Sequence, residues 1–147
     1  MPESISFLVI DVARLIRQKF ETELAAANLG VTAGEARTLL YAGRSPGLRQ
    51  AVLAERINVE PMTLVGFLDR LEAAGLIARL PDPSDRRAKR ILPTDAARPL
   101  IEKIEAIALM VRETAIGDFS EREEEAVRTG LLRMRSALAT ERKAVPA

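Results

Sequence analysis

Cysteine and histidine are both absent from this chain of 147 residues. Without them there is no disulfide, no Cys/His zinc site, no thiol redox sensor and no histidine acid–base catalysis. No apolar run approaches the roughly 20 residues that a membrane span needs, and the opening "MPESIS" lacks the features of a signal peptide. The expected compartment is therefore cytoplasmic. A glycine-rich phosphate loop is missing as well. Aromatic residues are few, four Phe and one Tyr, so the apolar content rests on Ala, Leu, Ile and Val, which favours helices over sheets. Charge of one sign is not in excess: the formal net charge is +1, and any basic surface must be local.

What is present is helical periodicity. Ile5, Leu8, Val9, Val12, Leu15, Ile16, Phe20 and Leu24 recur on one stripe of a helix over Ile5 to Ala27, stopped by Asn28 and Gly30. Thr32 with Glu35 has the spacing of a capping box and opens a second helix to about Ala42. A turn through Gly43, Ser45, Pro46 and Gly47 leads to a third helix from roughly Arg49 to Ile57. After Asn58 and Val59 a fourth starts near Glu60 or Pro61, turns Leu64, Phe67, Leu68 and Leu71 inward, and is capped by Gly75. Ile77 to Leu80 and Arg90 to Leu92 read as short strands, separated by the turn-forming cluster Pro81 to Asp85 and a basic tip of Arg86, Arg87 and Lys89. A long helix follows from Thr94 to Gly117. Ser120 and Glu123 open a last helix with Val127, Leu131, Met134 and Leu138 inward, and the tail "RKAVPA" is expected to fray.

Two short helices with a tight turn, then strand, loop and strand with a basic tip, is the order of a winged helix-turn-helix. The expected fold is mainly α, with a small β-hairpin wing and additional helices at both ends. Five basic residues (Arg79, Arg86, Arg87, Lys89 and Arg90) stand against Asp82 and Asp85 in that hairpin. Such a tip is costly to bury and suits a phosphate backbone, although a solvated hairpin without a partner explains it too. The apolar stripes at the two ends exceed what the central core can cover. Packing on a second copy covers them best, with a monomeric bundle as the alternative.

The stretch "VEPMTLVGFLDRLEAAGLIARLPDPSDRRAKR", preceded by "GLRQAVLAERINV", resembles the MarR family of bacterial transcription regulators. The resemblance spans about Leu24 to Leu100 and rests on helix layout alone at the ends. It implies one chain with a winged helix-turn-helix lobe over residues 32–93 and a helical dimerisation region from residues 1–31 and 94–147. It also implies a homodimer that binds pseudo-palindromic double-stranded DNA, often as a repressor released by a small-molecule effector. No cofactor, metal or membrane partner is expected, and ligand-binding residues are not assigned.

On the fourth helix, Pro61, Met62, Thr63, Val65, Gly66 and Arg70 lie partly outward by helical period. Thr63 offers a hydroxyl to a base edge or phosphate, and Met62 or Val65 can touch a thymine methyl. Gly66 departs from the family pattern, where Arg is frequent, and Val65 stands where Thr or Ser is frequent. Gly66 therefore removes the strongest base-reading donor and shifts specificity toward the wing and DNA shape. Arg86 and Arg87 match the family's wing arginines, one or both of which enter the minor groove. Asp85 fits the family's Asp-x-Arg arrangement, in which the carboxylate orients the Arg87 guanidinium, with a turn former as the lesser alternative. Lys89 and Arg90 suit phosphates. Arg49 and Gln50 open the third helix as a phosphate clamp or as a plain exposed helix start.

Two rivals remain. An enzyme is disfavoured because the carboxylates of "EREEEAV" are explained by a helix start. A winged module that binds protein and has lost specific DNA binding is supported by Val65 and Gly66, and opposed by the basic tip.

Overall fold

The computed structural model describes residues 3–144, with side chains through residue 141. Its first helix, α1, covers Ile5–Ala27 and ends where Asn28 takes a left-handed conformation. α2 (Ala33–Arg44) carries the expected capping box, with the Thr32 hydroxyl accepting from the Glu35 amide and the Glu35 carboxylate from the Thr32 amide. A two-residue strand, β1 (Leu48–Arg49), leads into α3 (Gln50–Ile57). Asn58, left-handed at φ 54°, turns the chain into α4 (Pro61–Ala73), with Pro61 in the first turn. The wing is β2 (Ile77–Asp82) and β3 (Asp85–Pro93). A short 3-10 turn at Asp95–Ala97 precedes α5 (Arg98–Ile116), and α6 is Glu121–Ala144.

Three differences from the sequence expectation matter. First, the sheet has three antiparallel strands in the order β1-β3-β2, because Leu48 and Arg49 pair with Ile91 and Arg90. Second, both wing strands are longer than expected. Pro81 stays in β2, opposite Lys89, because β2 is an edge strand and the missing amide costs no ladder bond. The turn shrinks to Pro83 and Ser84, so Arg86, Arg87 and Lys89 lie on β3 rather than on a loop tip. Third, Thr94 does not open the long helix. Its hydroxyl donates to the Gly75 carbonyl at 2.6 Å, tying the end of the wing to the end of α4, and α5 starts only at Arg98.

The chain divides into two compact units, one ending at Val111 and the other beginning at Arg112. In the first, the largest fully buried aliphatic side chains are Leu39, Leu53, Leu64, Leu68, Leu71, Ile91 and Ile104, so α2, α3, α4, α5 and the sheet share one core. Burial of this kind contributes about 1.5–3 kcal/mol per large aliphatic side chain. Phe20 and Leu24 of α1 join that core, whereas Ile5, Leu8, Val12, Leu15 and Ile16 are exposed. The second unit is set by local contacts. Ser120 and Glu123 exchange capping bonds at 3.1 and 3.0 Å, and Glu124 accepts from Arg112 and Arg128. Of the stripe expected to turn inward on α6, Val127, Leu131 and Leu138 are exposed and Met134 is half-buried. Arg142 to Ala144, the start of the tail expected to fray, continue α6, and its last three residues lie outside the described residues.

Candidate nucleic-acid interface

α4 is docked by its apolar face, and on the other its first two turns offer only the Thr63 hydroxyl, with Asp69, Arg70 and Glu72 following further along. Leu64, Leu68 and Leu71 are buried, while the half-buried Phe67 ring lies over Gly34 of α2. A Cβ at position 34 would stand 2.2 Å from Phe67 Cζ, so only glycine permits this close approach. On the outer side Met62 is 77% exposed, Thr63 is exposed, and Val65 and Gly66 are half-buried. A Cβ at Gly66 would meet only Arg70 Nη1 at 3.6 Å, so the site is open to a side chain. Arg70 leans back along the helix, 3.7 Å from the buried Glu35 carboxylate and 5.7 Å over the Phe67 ring.

The wing distributes its charge unevenly. Arg79 donates to Asp69 at 2.7 Å and to Glu72 at 2.8 Å, and these partners, Glu72 first, push its pKa further up. Arg90, expected to meet phosphates, is half-buried and donates from Nε to the Gly47 carbonyl at 2.8 Å. Gly47 itself has φ +85°, and a Cβ there would lie 2.7 Å from Arg90 Nη2, so the residue serves both the turn and the guanidinium. Three of the five hairpin cations remain. Among the described residues, the side chains of Arg86, Arg87 and Lys89 are exposed and donate to no protein acceptor. Alternation along β3 puts Asp85, Arg87 and Lys89 on one face and Arg86 on the other.

Asp85 behaves as the turn former. Its Oδ1 accepts from the Arg87 backbone amide at 3.0 Å, and not from a guanidinium. Orientation of an arginine falls instead to Asp82, which the sequence reading passed over. Arg49 donates to Asp82 through Nε at 3.0 Å and Nη2 at 3.3 Å, and to Ser84 Oγ at 3.1 Å. Asp82 Oδ1 also accepts from the Ser84 amide at 2.8 Å and hydroxyl at 2.6 Å. The Arg49 guanidinium, and then Ser84, hold the Asp82 carboxyl well below the usual carboxylate range. This bidentate pair pins the wing turn to the start of α3. The Asp-x-Ser spacing was the one local signal for it; the partner lies 33 residues upstream.

Arg49, Gln50, Pro61, Asp85, Arg87 and Lys89 meet around one cleft of about 420 Å³, floored by Leu64. It lies between the starts of α3 and α4 and the face of β3. Of the remaining expected site residues, Met62, Thr63, Val65, Gly66, Arg70 and Arg86 do not line the cleft; Met62 and Thr63 stand beside Pro61 on the exposed start of α4. A basic cleft beside an exposed helix start can hold a backbone phosphate and bring base edges to the helix. Among the described residues no group of three or more Asp or Glu is placed to hold a metal ion, and no helix is long and apolar enough to cross a membrane.

The fold is similar to that of known proteins. Residues 31–89 match the family model for MarR. The solved structure of transcriptional regulator PA3341 is similar at 33% identity and a TM-score of 0.81, over 93% of this chain and 99% of that one. Crystal structures of a MarR protein and of the regulator SlyA are similar at 26% and 27% identity, with TM-scores of 0.76 and 0.75. They cover 97% and 95% of this chain, and 96% of each of theirs.

Proposed function

Given that the chain belongs to the MarR family of transcriptional regulators, we propose that it is a homodimeric repressor that binds a pseudo-palindromic operator in double-stranded DNA. In this reading α4 enters the major groove and the wing enters the minor groove. The observation that carries it is the convergence of Arg87, Lys89, Gln50 and Pro61 on one cleft beside the exposed start of α4. Arg86 and Arg87 are the wing's minor-groove candidates, since a narrow A·T-rich groove attracts guanidinium groups. Lys89, Gln50 and the half-exposed Arg49 face the phosphates, with Arg49 doing so while held by Asp82.

The dimer reading assigns residues 32–93 to the DNA-binding lobe, and residues 1–31 and 94–147 to the interface between copies. Its support is the pair of uncovered apolar stripes: on α1 Phe7 is 71% and Ile5 68% exposed, and on α6 Val127, Leu131 and Leu138 are exposed. Two half-sites one helical turn apart would then match the two-fold of the protein. Release by a small-molecule effector rests on family membership. A second reading, a winged module that binds protein instead of DNA, is favoured by one observation: α4 presents no uncommitted guanidinium or amide donor.

Selection from a random duplex library, followed by anisotropy on the winner at several salt concentrations, tests the proposal. An inverted repeat bound by a dimer, with affinity falling by about 0.9 log units per log unit of salt for each neutralised phosphate, is the expected result. A library without enrichment, bound weakly and without salt dependence, would transfer the function to the protein-binding reading.

A further inference from the structure

We infer that Met62 is the specificity-determining residue of α4 and that it reads a thymine C5-methyl group in the major groove of each half-site; this rests on the DNA-binding reading. Forked donors are what guanine and adenine edges require: Arg or Lys on guanine, Asn or Gln on adenine. The outward residues of the first two turns of α4 are Pro61, Met62, Thr63, Val65 and Gly66, and none carries such a fork. The one guanidinium on the helix, Arg70, sits a turn further on and leans onto Glu35 and Phe67. Base reading by this helix therefore falls to apolar contact and to the Thr63 hydroxyl, which serves any base.

Met62 is the most exposed large apolar side chain among the described residues, at 77%. It is on the N-terminal turn, the part of a reading helix that meets base edges. Its neighbour Pro61 lines the cleft that holds Arg87 and Lys89, so a phosphate bound there brings the groove to Met62. Charge complementarity thus selects DNA as the occupant of this face. Gly66, one turn along, adds no side chain to hold the helix away from the base edges. The unbranched thioether chain of methionine adapts to a methyl surface without a fixed geometry. The wing's guanidinium groups favour narrow A·T-rich minor grooves, so both reading elements select A·T pairs by different chemistry.

The test replaces each thymine of the selected operator in turn by deoxyuridine, which removes only the C5-methyl group. Affinity is then measured for the wild-type protein, Met62→Ala and Met62→Leu. One thymine per half-site should show a loss of about fourfold on replacement in the wild type, the factor expected from one buried methyl group. Met62→Ala should bind the thymine and uracil operators alike, and Met62→Leu should keep most of the discrimination. Indifference of the wild type to every replacement, with steep salt dependence intact, overturns the Met62 assignment and leaves the DNA-binding reading standing. The same holds if Met62→Ala keeps full sensitivity. Failure to select any operator overturns both.

Discussion

α4 and the wing flank one cleft, through Pro61 and Leu64 on one side and Asp85, Arg87 and Lys89 on the other, and expose opposite chemistries beside it. The helix presents a methionine, a threonine and a glycine, and its arginine is turned back on Glu35. The hairpin presents Arg86, Arg87 and Lys89 on β3, beyond a turn pinned through Asp82 at the end of β2. On the proposed DNA-binding reading, the wing supplies most of the affinity and reads groove shape while the helix reads base edges, so the two can be varied separately.

The largest expected effect comes from removing the wing's charge. The triple variant Arg86→Ala, Arg87→Ala, Lys89→Ala should lose roughly 1–3 kcal/mol of binding for each guanidinium that meets a base, and a flatter salt slope should accompany the loss. Its melting temperature should hold, because all three side chains are exposed. Anisotropy and thermal melts check both parts. A steep loss of stability would instead make the wing a folding element.

Gly34→Ala strikes the helix side alone. The added Cβ would overlap the Phe67 ring, so overpacking should cost about 1–3 kcal/mol of folding stability in denaturant titration, while the wing stays ordered. Gly66→Arg sharpens the comparison from the other direction. It supplies the missing fork where the backbone has room, and repeated selection should yield a motif with a new guanine, worth about 1–3 kcal/mol of discrimination. An unchanged motif would mean that position 66 does not face a base.

The smallest effect is an absence of titration. Asp82 is held below the usual carboxylate range, so its clamp is fully present above its unfolded pKa near 3.9 and is lost only as pH falls toward the depressed folded value. The Ser84 amide, which donates to Asp82, should keep its NMR shift from pH 8 down to about pH 4.5. A midpoint within that range would show that the clamp is open in solution.

These contrasts also mark where sequence reasoning reached and where it stopped. The lobe was legible because its signals are local: the Thr32–Glu35 box, Pro61 at a helix start, and Leu64, Leu68 and Leu71 one or two turns apart. The excess apolar stripes on α1 and α6 were legible for the same reason. What escaped was pairing between distant residues. Arg79 and Arg90 count as wing charge in a linear reading, yet Asp69 with Glu72 and the Gly47 carbonyl engage them in the fold. Asp85 and Asp82 exchanged roles because the guanidinium being oriented is Arg49, brought in by β1, a strand too short to show a period. Pro81 suggested a loop because an edge strand cannot be recognised before the sheet order is known.

The most direct test of this division of labour is the salt dependence of operator affinity for the wild type, Met62→Ala and the triple wing variant, measured side by side. Met62→Ala should weaken binding with the slope unchanged, and the wing variant should lose about 0.9 from the slope for every phosphate contact removed. Equal slopes for wild type and wing variant, or a flattened slope for Met62→Ala, would contradict that division.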